Sequence, residues 1–162
     1  MIHDLNARLI GMRFTSVEAE MGPGSHSKQA GGSIGSEVKM SLSDLVDGKN
    51  TATVTIDAKG IPQGATESDF AFRIAITGIA LWEWSGDMPS PELLQQDATI
   101  YELCYAIHTL IVGEVTRLAL GLGFPGVTLS WNPRPEPEPK VQKKPRASTP
   151  RTKKTPAAAA KV

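Results

Sequence analysis

Cysteine is almost absent from this chain: Cys104 is the only one in 162 residues. One thiol closes no internal disulfide and builds no cysteine-based metal site, which points to a reducing, cytoplasmic setting. Histidine is nearly as scarce, at His3, His26 and His108. His3 is terminal, His26 lies in a Gly/Ser loop, and His108 falls in the apolar arc of a helix, so no general base is paired with a nucleophile. Cys104 lies in the same arc and reads as an inert packing residue. The glycines of Gly31-Gly32-Ser33-Ile34-Gly35 are not followed by the Lys-Ser/Thr helix start of a phosphate loop. Glu114 and Arg117, three apart, are a common structural pair on a helix. These absences argue against an enzyme and imply neither cofactor nor metal. The N-terminus also lacks the basic flank and apolar run of a secretory signal.

Charge of one sign is scarce in each part of the chain, although the formal total is zero. Residues 1–131 carry 15 acidic and 8 basic side chains, and residues 132–162 carry 9 basic and 2 acidic. The tail also holds seven of the twelve prolines and no aromatic residue. It cannot bury enough apolar surface to offset the entropy of ordering, so a disordered tail at 132–162 is expected after one folded domain at 1–131. The basic tail reads as a solubilising extension or as a contact for an anionic partner. Without interleaved aromatics, base stacking is not expected, and any nucleic-acid contact would be non-specific and lost steeply with salt.

Within the body, alternating apolar residues predict four strands. The first is about Leu9 to Met21, where a change of parity near Thr15-Ser16 suggests a bulge. Gly22 to Gly35 reads as a flexible loop. The second strand is about Glu37 to Leu45, with Val38, Met40 and Leu42 inward. Asp47-Gly48-Lys49-Asn50 turns into the third, Thr51 to Ala58. The fourth, about Asp69 to Trp84, is the longest, with Gly78 marking a bend or bulge. Ser90-Pro91-Glu92 looks like an N-cap with proline at the first helical position, and Asp97 is a second N-cap candidate, for the main helix.

A long apolar helix follows from about Ala98 and stops at Gly121-Leu122-Gly123-Phe124-Pro125-Gly126. At 100° per residue, Ile100, Cys104, Ile107, Ile111, Val115, Leu118 and Leu122 share one broad face. Leu103 and Leu110 extend it on one flank, and Tyr101, Tyr105 and Val112 on the other. One sheet covers one stripe, so a second copy of the chain is expected against this helix, with those seven residues as the oligomer interface. The length would also suit a membrane span. Glu102, His108, Glu114 and Arg117 would then lie in lipid, at about 2.5–3.5 kcal/mol for each charge near the centre, which argues against insertion. Strands in a run followed by a helix predict an α+β fold, a four-stranded antiparallel sheet with the helix on one face.

Trp82, Trp84, Met88, Leu93 and Leu94 cluster in a short stretch rich in proline. They either close the end of the core or form a hydrophobic groove for partner chains.

Gly123-Phe124-Pro125-Gly126-Val127-Thr128-Leu129, closing a helix that contains Glu114-Val115-Thr116-Arg117, resembles the helix-end signature of the SecB family of export chaperones. Glu37-Val38-Lys39-Met40-Ser41-Leu42 is similar to that family's second strand, and Phe70-Ala71-Phe72-Arg73-Ile74 with Gly78-Ile79 to its fourth. The resemblance covers about residues 9–131. The family's second, C-terminal helix is replaced here by the basic tail. The resemblance implies an ATP-independent holdase that binds unfolded clients along hydrophobic grooves, here at Trp82, Trp84, Met88, Leu93 and Leu94. It further implies a homotetramer, a dimer of dimers with sheets outside and helices between, partnered by an export motor or a toxin–antitoxin system.

Overall fold

The computed structural model of the protein describes residues 5–26 and 31–129. Four strands, β1 (Ala7–Met21), β2 (Gly32–Leu42), β3 (Lys49–Pro62) and β4 (Phe72–Trp84), precede a single turn α1 (Pro91–Leu94) and the long helix α2 (Asp97–Gly121). The strands form one antiparallel sheet in the order β1-β4-β3-β2. α2 lies across β4 and β3, reaches β2, and touches β1 least. This is the α+β architecture expected from the sequence. The basic tail and Trp131 lie outside the described residues.

β3 and β4 alternate strictly. Ala52, Val54, Ile56 and Ala58 on one, and Phe72, Ile74, Ile76, Ala80, Trp82 and Trp84 on the other, are buried beneath α2. The intervening threonines and charges face away, as a two-residue side-chain period dictates. The bulge expected near Thr15-Ser16 is present, as a register shift between Phe14 and Ser16, and a second lies between Leu9 and Gly11.

Three local expectations are corrected. β2 begins at Gly32, inside the stretch read as loop, because Gly32 to Gly35 pairs in register with Lys59 to Pro62. Gly78 is not itself the bulged residue, since β3 and β4 pair without interruption across it and the extra residue of the β1–β4 ladder, Thr15, lies opposite it on β1. A Cβ there would stand 2.9 Å from Ile107 and 3.2 Å from Ile111, so its bare backbone lets the helix approach. At the start of α2, Gln96 and not Asp97 is the N-cap residue. The cap at α1 is as the sequence reads, with Leu93 N donating to Ser90 Oγ at 3.2 Å.

α2 ends in a Schellman turn. Phe124 N donates to Ala119 O and Gly123 N to Leu120 O, both at 3.0 Å, and Gly123 takes φ +91°. That turn aims Phe124 back at the sheet, where its ring meets Phe72 with centroids 4.9 Å apart.

Candidate functional site

The two tryptophans read from the sequence as groove residues are buried in the protomer, Trp82 at 2% exposure and Trp84 at 5%. They do not project past their neighbours, because Trp82 pairs with Asn50 of β3 and Leu9 of β1, and Trp84 with Ala7. Trp82 Nε1 donates to Leu103 O of α2 at 3.0 Å, and Trp84 Nε1 to Asn50 Oδ1 at 3.0 Å. Both indoles therefore tie the sheet to its cover, and neither lines a surface of the single chain.

The apolar face of α2 meets the chain's own sheet. Cys104, Ile107, Ile111 and Val115 are completely buried under the chain's own sheet, and Ile100, Leu118 and Leu122 flank them half-buried. Periodicity located an apolar face correctly but not which neighbour it meets. Burial pushes the Cys104 thiol up to about 12, which leaves it unreactive. The outward stripe of α2 is Tyr105, Thr109, Val112, Gly113, Thr116 and Leu120. Tyr105 is 53% and Leu120 62% exposed. Thr109 Oγ1 donates to Tyr105 O and Thr116 Oγ1 to Val112 O, at 2.9 and 3.0 Å, so these hydroxyls are satisfied within the helix. α2 is long and apolar enough to cross a membrane by length and composition, but its sheet-facing side is the core of the domain.

Two further apolar surfaces are open. At the end of the sheet beside Trp84, Val46 (65% exposed) and Met88 (54%) stand out, with Leu45, Leu93 and Leu94 half-buried around them. Gly48 brings the two loops together: Trp84 N donates to Gly48 O at 2.8 Å, and a Cβ on Gly48 would lie 3.4 Å from Met88 Cε. Asp44, Asp47, Asp87, Glu92 and Asp97 surround this patch in sequence. Glu92 is held below the usual carboxylate range by hydrogen bonds at the α1 N-terminus, from its own backbone N–H and from Ser90. The segments that carry the patch are thus rich in carboxylates. Met88, Leu93 and Leu94 are the sequence-read groove residues placed there. Val46 was missed, its one signal being a lone valine beside a turn.

The second open surface is the helix-side face of the edge strand β1, where Met12, Val17 and Met21 remain exposed because α2 sits to one side. The opposite face of the sheet is mixed in charge. Arg73 binds Asp57 through two nitrogens at 2.7 and 3.0 Å and lies 3.7 Å from Glu20, while Glu83 pairs with Arg8 and Lys49. These cations hold the Asp57 and Glu83 carboxyls below their ordinary range. The body's net negative charge is therefore not displayed on that face.

At the other end of the sheet a cavity of about 460 Å³ opens between the Schellman turn and the ends of β2, β3 and β4. Ile34, Pro62, Phe72, Phe124, Pro125 and Val127 supply its apolar wall, and glycines at 31, 32, 60, 123 and 126 expose backbone to it. Sequence reading treated these segments as a loop and a helix stop. Among the described residues, no group of three or more His, Cys, Asp or Glu side chains is placed to hold a metal ion.

No protein-family model and no curated protein matches the chain. Among solved structures it is similar to a SecB-like chaperone of Mycobacterium tuberculosis, determined in complex with a ChAD peptide from the HigA1 antitoxin. The TM-score is 0.64 at 18% identity, over 82% of this chain and 95% of that one. The fold is SecB-like. A protein of unknown function from Streptococcus agalactiae is also similar, with a TM-score of 0.46 at 10% identity over 77% of this chain and 97% of that one, too distant to carry an argument. Among the described residues of this SecB-like fold, open surface includes the end patch at Val46 and Met88, the outward stripe of α2, the β1 strip and the cavity.

Proposed function

We propose that the protein is a cytoplasmic, ATP-independent holdase that keeps unfolded or nascent polypeptides soluble by covering their apolar segments. The observation that carries this reading is the amount of open apolar surface on a chaperone-type fold. Val46 and Met88 stand free at one end, and Met12, Val17 and Met21 along an edge, with no chemistry beside them. Extended apolar segments are what such surfaces accept. The client site is assigned to Met88, Leu93 and Leu94 together with Val46, and the carboxylate-rich segments that carry it favour clients that are apolar and basic. The remaining surfaces assemble copies. The outward stripe of α2 has no unsatisfied hydroxyl at Thr109 or Thr116 and packs without desolvation cost against another helix. β1 is an edge strand with an apolar face, which soluble proteins cover or pair. A dimer of dimers with sheets outside uses both.

The test is light scattering of an aggregating unfolded client without nucleotide. The wild type should suppress aggregation, and the pair Val46→Asp with Met88→Asp should lose most of that suppression while keeping its circular dichroism. Equal suppression by the variant would remove the site assignment. No suppression by the wild type at equimolar tetramer would remove the holdase itself.

A second reading is favoured by one observation, that the similar chaperone was solved with an antitoxin peptide. In that reading the protein serves one dedicated partner, and the basic tail docks an anionic surface. Deletion from residue 132 separates the two. Lost partner binding supports dedication, whereas intact holding of unrelated clients supports the general role.

A further inference from the structure

The turn between β2 and β3 combines a left-handed backbone with a reactive dipeptide. Asp47 takes φ +50° and Gly48 φ +71°, the pair of angles of a tight hairpin turn. Val46 N donates to Lys49 O at 2.8 Å and Lys49 N to Val46 O at 2.9 Å, so the turn closes around the Asp47–Gly48 peptide bond without using its N–H. Asp47 is exposed, and Gly48 sets no side chain over that amide. The chain has no second Asp-Gly step and no Asn-Gly step. Asp57, within β3, is placed differently. Arg73 holds its carboxylate at 2.7 and 3.0 Å, and the residue after it, Ala58, pairs with Ile74 in the sheet.

We propose that Asp47-Gly48 is a site of spontaneous isoaspartate formation in the folded protein, and that the modified turn opens the end patch. The Gly48 amide nitrogen bonds to Asp47 Cγ and a Cγ–O bond breaks. That oxygen leaves as water, carrying the carboxyl proton and the amide proton. A second water then opens the cyclic imide. Attack at Cγ restores aspartate. Attack at the main-chain carbonyl leaves the backbone running through Cβ and Cγ, one carbon longer, with the α-carboxylate as the side group. In the unmodified turn Trp84 N donates to Gly48 O at 2.8 Å, and a Cβ on Gly48 would lie 3.4 Å from Met88 Cε. An extra backbone atom in so short a turn moves Gly48 out of that register, and Val46 and Met88 part. The modification follows from the turn alone, whereas its effect on clients rests on the holdase reading.

The experiment ages the full chain and its Asp47→Glu variant at body temperature and neutral pH. Isoaspartyl groups are counted with an isoaspartyl O-methyltransferase and labelled S-adenosylmethionine, then located by peptide mass spectrometry. Label should accumulate with time on the peptide that holds Asp47 and fall several-fold in Asp47→Glu, whose longer side chain cyclises poorly. No label in the aged wild type, label centred on Asp57 or another aspartate, or equal label in Asp47→Glu overturns the proposal. Amide hydrogen exchange at Trp84, whose N–H donates to Gly48 O, should quicken several-fold in the aged wild type and not in the aged variant. Equal exchange in the two overturns the opening of the patch. Aged wild type should also suppress client aggregation less than aged Asp47→Glu. Fresh wild type that suppresses none removes the holdase reading, while labelling and exchange still decide the site.

Discussion

The substitution Trp82→Phe separates a core tryptophan from a client-binding one. Its indole is buried, and Nε1 donates to Leu103 O at 3.0 Å across the sheet–helix interface. Losing that hydrogen bond removes about 0.5–1.5 kcal/mol, with the carbonyl still serving the helix ladder. Losing the outer part of the ring leaves a void, a fraction of the 3–5 kcal/mol for full truncation, so the total is about 2–3 kcal/mol. For a domain of this size that lowers the melting temperature by about 8–12 °C. Trp84→Phe should cost more. Asn50 is 1% exposed, its Nδ2 already has no partner, and the substitution strips its Oδ1 as well. The assay is urea unfolding followed by far-UV circular dichroism at one fixed protein concentration. A Trp82→Phe protein of wild-type stability that no longer holds clients would refute this reasoning and return Trp82 to the surface.

Three other outcomes are expected. Burial lowers the His108 pKa below 6.5, so the unfolded chain takes up its proton first and stability falls as pH drops below that value. His108→Gln should flatten the decline of the urea midpoint between pH 6.5 and about 5, and an unchanged slope would exclude His108 as its source. Cys104, completely buried and with its thiol pushed up to about 12, should resist a thiol-specific chromogenic disulfide at neutral pH and react fully in denaturant; rapid native labelling would mean that α2 lifts from the sheet. Gly78→Ala drives a Cβ to 2.9 Å from Ile107, with an expected loss of about 1–3 kcal/mol, and a neutral result in the same urea titration would contradict the close approach.

Much of the fold was legible because side-chain period is a local property. The strict alternation of β3 and the Phe14/Ser16 shift in β1 are printed in the order of residues. The sequence also shows that α2 is apolar around most of its circumference, but not which arc meets which neighbour. That depends on where the helix lands laterally, over β3 and β4 and away from β1. The same lateral choice buries Cys104, Ile107, Ile111 and Val115 and leaves Met12, Val17 and Met21 open. Trp82 and Trp84 were ambiguous for a related reason. A tryptophan at a strand end is a surface or a core residue according to whether β1 and β3 extend alongside it, and both do. The patch at Val46 and Met88 was spread over two loops that only the Gly48–Met88 approach brings together.

Trp82 holds Leu103 at one end of β4, and Phe72 meets Phe124 at the other. The ten residue steps of strand between those two points measure about 33 Å. The chain from Leu103 to Phe124, at helical rise, measures about 32 Å. Strand and helix are therefore cut to one length, like a ruler clamped at both ends of the object it measures. Removing or adding a residue in α2 between the clamps shifts its far end along the axis by about 1.5 Å and rotates it by about 100°. Phe124 would then leave Phe72 or Leu103 would leave Trp82. The gauge of this helix is as much a part of the fold as its apolar face.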